Sequence, residues 1–146
     1  MQTFLPFPCF RSSAKALDNK RLGKQRVEGK QILDILEGRS PGSRWRNHPA
    51  VKMWKGYENA LKFYINCCIK EWVHRGFKNT MPVYTVDYKN LEYPWWFGKE
   101  KFHDAHRSNL LRKDYAFYSK YSWQEPTDLP YIWPSGKPHY EEKGNE

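Results

Sequence analysis

The order of apolar and polar residues predicts three main helices and leaves both ends of the chain outside them. From about Ala14 to Leu36, the residues Leu17, Leu22, Val27, Ile32, Leu33 and Leu36 share one helical face, with Ser12 or Ser13 as the cap and Gly38 as the terminator. Gly23 and Gly29 fall inside this stretch, where each weakens a helix by up to ~1 kcal/mol relative to alanine. Close approach of another backbone or of a ligand is the expected reason for them. After a polar loop from Arg39 to Arg46, Asn47 is placed to cap a second helix with Pro49 in its first turn. Val51, Trp54, Leu61, Ile65, Cys68 and Trp72 then recur at three-, four- and seven-residue steps as far as Arg75-Gly76. A continuous helix there has about 26 residues and spans ~39 Å, which makes it the spine of the fold.

Between Gly76 and Lys101 the periodicity lapses. Met81 to Val86 alternates briefly but has no partner strand, and Tyr93-Pro94-Trp95-Trp96-Phe97-Gly98 reads as an aromatic loop packed over the helices. A third helix is predicted from about Phe102 to Lys120, with Ala105, Leu110, Leu111, Tyr115 and Tyr118 inward and Arg107, Arg112 and Lys113 outward. Pro6 and Pro8 make residues 1 to about 12 an extended arm. From Gln124 onward, Pro126, Pro130, Pro134 and Pro138 give an extended surface tail whose last residues, Glu141 to Glu146, are expected to be mobile. The fold class that follows is all-α: one compact domain over residues 1–146, with three main helices, an N-terminal arm and an aromatic, proline-rich tail.

Charge narrows the choice of partner. The chain has 25 Lys and Arg against 16 Asp and Glu, a formal charge of +9, which favours an anionic partner such as nucleic acid or an acidic membrane surface. Aromatics at 17% in a strongly polar background, with mean hydropathy of -0.94, favour the first, because bases stack on aromatic rings. Three cysteines, two of them the neighbours Cys67 and Cys68, supply neither a disulfide framework nor zinc-ligand spacing, as expected of a reduced intracellular protein. His103 and His106 are three apart but lack companion ligands, so no metal is expected. The apolar start, Met1 to Pro8, lacks a basic leader and is broken by prolines, unlike a signal peptide or a membrane span.

The densest chemistry lies in Leu17 to Glu28. Lys20, Arg21, Lys24 and Arg26 place four cations within seven residues, and Glu28 lies one helical step past Lys24. One reading is a solvated helix with a surface Lys24–Glu28 pair worth a few tenths of a kcal/mol. The other is a phosphate-binding surface with a working carboxylate.

Several segments, in order and spacing, resemble the pyrimidine-dimer DNA glycosylases of the phage endonuclease V type. Arg21-Leu22 followed by Glu28 is similar to that family's His-Leu followed seven residues later by its catalytic Glu. Asn47-His48-Pro49 through Trp54, Tyr57, Phe63 and Glu71 to Arg75-Gly76-Phe77 resembles its long middle helix, and His103-Asp104-Ala105 with Phe117 to Ser122 resembles its last helix and aromatic end. A branch of such proteins also shares the Met1-to-Pro6 opening, Arg21 to Glu28, Arg46 to Val51, and His106 to Lys113.

The resemblance implies a small all-α DNA-repair enzyme, a glycosylase with abasic lyase activity that needs no cofactor. It implies double-stranded, damaged DNA as partner, no membrane, a monomer, and a cytoplasmic setting, nucleoid-associated in a bacterium or virus-encoded in a host cell. By the family mechanism an N-terminal α-amine attacks C1′ of the damaged nucleotide, the base leaves, and an imine permits β-elimination. An ordinary α-amine, with pKa about 7.7 to 8.0, is neutral roughly ten per cent of the time at pH 7, far more often than a lysine. Carried over, the catalytic residues are Met1, Glu28 and Arg21, with Arg21 standing where the family has His and therefore holding phosphate rather than exchanging protons. The bulky Gln2 implies that Met1 is retained. Val27 and Gln31 stand where the family has Arg, contacts that Lys24, Gln25 and Arg26 could supply. Lys20, Arg46, His48, Arg107, Arg112 and Lys113 complete the expected phosphate surface, and Tyr121 and Trp123 are the stacking candidates, while Trp95 and Trp96 read as packing residues. Two alternatives stay open: a non-catalytic DNA- or RNA-binding protein on the same fold, and a glycosylase for another modified base.

Overall fold

A computed structural model describes residues 1–135, and every regular element in them is helical. Four helices form the body: α1 (Phe10–Ala16), α2 (Asn19–Leu36), α3 (Pro49–Trp54) and α4 (Glu58–His74). They are followed by α5 (Glu100–Lys113) and the short α6 (Tyr115–Tyr118), with single 3₁₀ turns at Tyr88–Asn90 and Ser119–Tyr121. The expected mobility of Glu141 to Glu146 falls outside the described residues.

Each of the three predicted helices is interrupted, and each break has a physical cause. The first stops at Leu17, whose side chain is fully buried, and restarts after Asp18, which is extended at φ -66°, ψ 161°. Asp18 holds that geometry through Tyr118, which receives its N–H at 3.1 Å and donates its hydroxyl to the carboxylate. The cap of α1 is Cys9, whose Sγ accepts from Ser12 N–H, while Ser13 Oγ is drawn inward to Phe7. The second helix breaks at Lys55-Gly56, where Gly56 takes φ +89°, a left-handed value that favours glycine. His48, rather than Asn47, caps α3 by accepting Ala50 N–H on Nδ1. The third breaks at Asp114, whose carboxylate caps α6 through Phe117 N–H. Gly38 and Gly76, at φ +80° and +92°, follow the helix ends where the sequence places terminators.

The core is an α2–α4 packing, with α1 against α4 and α3 against α2, and Phe102, Leu110 and Leu111 of α5 join the same cluster. A Cβ on Gly29 would stand 2.7 Å from Ile65 Cγ1, and one on Gly23 would meet the Trp72 ring at 3.0 Å. The two glycines therefore let α2 lie close to α4, and the space beside them is filled by α4 side chains instead of a ligand. Trp96 is buried and donates its indole N–H to Met53 C=O at 3.0 Å, so the aromatic loop does pack over the helices.

The N-terminal arm is extended but threads through the core, with Thr3, Phe4 and Leu5 buried. A strand buried without a partner strand leaves its peptide groups to be satisfied by side chains. Gln25 on α2 accepts Phe4 N–H at 2.8 Å and donates to Gln2 C=O at 2.8 Å, and Tyr64 on α4 donates to Phe4 C=O at 2.9 Å. On α5, His106 Nδ1 accepts Leu5 N–H at 2.9 Å, His103 Nδ1 donates to Leu5 C=O at 2.7 Å, and Arg107 donates to Pro6 C=O at 2.6 Å. The histidine pair thus clasps one peptide residue in two opposite tautomers, His103 also accepting Gly98 N–H on Nε2.

This clasp predicts acid sensitivity. Burial, with His103 adding to it, pushes the His106 imidazole down to about 3. Burial also lowers His103, with Arg107 adding to it, against its bond to Leu5 and the charge of Asp104. The unfolded chain takes up these protons as pH falls through about 6.5, and the folded chain does not. Stability is therefore intact above about 6.5 and declines toward pH 3 by up to ~1.4 kcal/mol per pH unit from His106, with His103 contributing in the same direction. His106→Asn keeps an acceptor for Leu5 N–H without a titrating ring. In urea unfolding it is expected to flatten the pH dependence between 6.5 and 5 by close to one proton; an unchanged slope would exclude the clasp as its source.

Candidate active site

The arm ends beside α2. Gln2 N–H donates to Glu28 Oε2 at 3.0 Å, and the same oxygen lies 3.8 Å from the nitrogen of Met1. The Met1 side chain is 2% exposed, so the first residue is anchored by packing while its nitrogen meets the carboxylate. Glu28 is thus engaged by the arm, and no ion pair joins it to Lys24 among the described residues. One turn earlier, Gln25 fixes the peptides that follow Met1, so consecutive turns of α2 set both the path of the arm and its end point.

A cavity of about 330 Å³ opens at this junction, with Met1, Gln2 and Glu28 on its inner side. Lys20, Arg21 and Lys24 from α2 and Lys113 from the end of α5 line it with positive charge. Phe4, Tyr131 and Trp133 add aromatic surface. Arg21 is oriented from behind, its guanidinium 3.2 Å from Asp18 Oδ1. Burial alone would raise the Asp18 carboxyl, but hydrogen bonds from Tyr118 and Arg21 outweigh it and hold the group below the usual carboxylate range. Asp18 therefore stays charged and keeps Arg21 at the cavity wall.

His48 lies close enough to sense the same centre. Burial, then the positive charge of the first amine, push its imidazole below the ordinary range, with Glu28 opposing. Its ring is held edge-on between Trp45 and Trp133, at 5.5 and 5.6 Å.

The other residues singled out by sequence are placed elsewhere. Arg26 points back across α2, stacked 4.4 Å over Trp72 and donating to Asn79 at 2.6 Å. Arg46 donates to Ser43 C=O in the loop before α3. Arg107 joins the arm to Asp104 and Glu125, and Arg112 donates to Thr127 C=O at 2.9 Å. Tyr121 and Trp123 stack on each other at 5.1 Å and Trp123 stacks on Tyr118, with the Tyr121 hydroxyl donating to Ala16 C=O, away from the cavity. The residues that sequence reasoning passed over are Phe4, Tyr131 and Trp133. Two large aromatics among the prolines of a polar tail were the available signal for the last two.

No group of three or more metal-ligating side chains is found among the described residues, and His103 and His106 both bind the arm. No described helix is long and apolar enough to cross a membrane.

No curated protein and no solved structure matches the chain. The family model for pyrimidine dimer DNA glycosylase matches residues 1–85, more than half of the chain, taking in the arm, Glu28 and α1 through α4. The chain belongs to the pyrimidine dimer DNA glycosylase family.

Proposed function

We propose that the protein is a lesion-directed DNA glycosylase with abasic lyase activity, acting as a monomer on double-stranded DNA through an imine to the nitrogen of Met1. The observation that carries this reading is the approach of Met1 nitrogen to Glu28 Oε2, at 3.8 Å, on the wall of a cationic cavity.

In the first step the neutral Met1 amine attacks C1′ of the damaged nucleotide. The N–C1′ bond forms, the glycosidic bond breaks, and the base leaves with the bonding pair and a proton. Glu28, already beside the amine, balances positive charge at the sugar, takes the proton that the nitrogen loses and passes it to the departing base, which returns Glu28 to the carboxylate form. Ring opening gives the imine. Loss of a C2′ proton to Glu28 then expels the 3′ phosphate and nicks the strand. Lys20, Arg21, Lys24 and Lys113 hold the flanking phosphates, a task for groups that remain charged. Asp18 acts through Arg21 and is a positioning residue.

The test is borohydride reduction in the presence of duplex DNA carrying one thymine dimer and, separately, one abasic site. Covalent adducts on both are expected. An adduct on abasic DNA alone would leave the lyase chemistry and remove the dimer specificity. Salt-sensitive binding with no adduct on either would favour the non-catalytic alternative.

A further inference from the structure

The segment that follows α6 runs back along α5 as a strap. Leu129 donates its N–H to Ser108 Oγ at 3.0 Å and accepts from Asn109 Nδ2 at 3.2 Å, and Arg112 holds Thr127 C=O. Arg107 pairs with Glu125 at 3.0 Å. These four attachments come from Arg107, Ser108, Asn109 and Arg112 of α5, so Tyr131 and Trp133 reach the cavity of Met1 and Glu28 on an anchored track.

Both aromatic rings are braced. They lie 5.5 Å apart, Tyr131 edge-on to His106 and Trp133 edge-on to His48. Trp133 nevertheless stays 36% exposed, an unusual state for the largest apolar side chain when packing is available. The cavity therefore combines a cationic side with aromatic surface, and its 330 Å³ lies at the small-ligand end of the usual range of about 300–1,000 Å³. A nucleotide is the ligand class that presents an anionic phosphate and a flat π-face together. Gln2 lines the same cavity, and its buried Nε2 has no hydrogen-bond partner among the described residues, which leaves a donor for a base carbonyl.

We propose that Tyr131 and Trp133 form a stacking wall for a nucleobase withdrawn from the duplex beside Met1, so that the strap decides which base the site accepts. This rests on the glycosylase reading and adds a division of labour to it: Met1 and Glu28 act on the sugar, and the strap acts on the base. The strap lies beyond the residues matched by the family model.

An abasic site has no base to stack, and that separates the two roles. Single-turnover trapping and equilibrium affinity are measured on the dimer duplex and on the abasic duplex for wild type, Trp133→Ala, Trp133→Phe and Tyr131→Ala. Base–aromatic stacking of about 1–3 kcal/mol corresponds to roughly a five- to 150-fold loss. Trp133→Ala is expected to lose that much on the dimer duplex, in trapping and in affinity, and less than about twofold on the abasic duplex, with Trp133→Phe recovering most of it. Equal losses on the two duplexes, or no loss on either, would overturn the proposal. A wild type that forms no adduct on either duplex would overturn the glycosylase reading itself. If wild type traps only abasic DNA, the ratio of the two affinities alone decides for or against the stacking wall.

Discussion

Glu28→Gln is expected to lower single-turnover cleavage of a dimer-containing duplex by about 10²–10⁴-fold, the range set by loss of a positioned acid–base group. The substitution is nearly isosteric, and the new side-chain oxygen still accepts Gln2 N–H, so the arm keeps its place. What disappears is the negative charge 3.8 Å from the Met1 nitrogen and the ability to carry a proton. The thermal unfolding midpoint is expected to move by only a few degrees, because one neutral hydrogen bond replaces one charge-assisted bond. DNA affinity should rise slightly or stay level, since removing a carboxylate from a cationic cavity reduces repulsion of phosphate. Unchanged cleavage in a folded Glu28→Gln protein would place the chemistry elsewhere.

Acetylating the first amine alone, with the lysine side chains left free, is expected to reduce both dimer cleavage and abasic trapping to background. An amide nitrogen has no available lone pair, and no other nucleophile is proposed to stand in for it. The cations that line the cavity are untouched by the modification, so salt-dependent binding should persist. Activity that survives complete acetylation would implicate a lysine instead, with Lys20, Lys24 and Lys113 as the candidates lining the cavity. The two expectations differ in kind: the carboxylate variant keeps a nucleophile without its proton carrier, and the acetylated protein keeps the carrier without the nucleophile.

Much of the helical plan was legible because it is local. The face carried by Leu22, Ile32 and Leu33, and that carried by Leu61, Ile65 and Cys68, appear as runs at helical spacing, and these residues are buried in α2 and α4. The breaks were not legible because distant partners make them. Asp18 abandons helical geometry for Tyr118, a hundred positions away, and the arm is held by Gln25, His103 and His106, whose bonds to it span 21 to 101 positions. A histidine pair three apart reads locally as a weak ligand motif, and only the threaded arm reveals it as a clasp for one peptide.

The glycines teach the complementary lesson. Gly23 and Gly29 did signal a close approach, but what comes near is Trp72 and Ile65 of α4. In the candidate site, the Arg21–Glu28 segment stood out through its own charge pattern, and the structure places four of its side chains, with Lys20, on one cavity. Arg26 carries the same charge yet turns toward Trp72, since at its position on the helix it faces α4 and the loop beyond it. Arg107 and Arg112 likewise hold the arm and the strap. Charge alone could not separate cations that bind neighbouring segments from cations left facing the cavity.

The central claim is that the first nitrogen of the chain is the covalent catalyst, and peptide mass mapping of the borohydride-reduced adduct on abasic duplex DNA tests it most directly. The expected result is a deoxyribose-derived mass on the peptide that begins at Met1, with fragment ions placing it on the α-nitrogen. A sugar mass on the side chain of Lys20, Lys24 or Lys113, with the Met1 peptide unmodified, would contradict it.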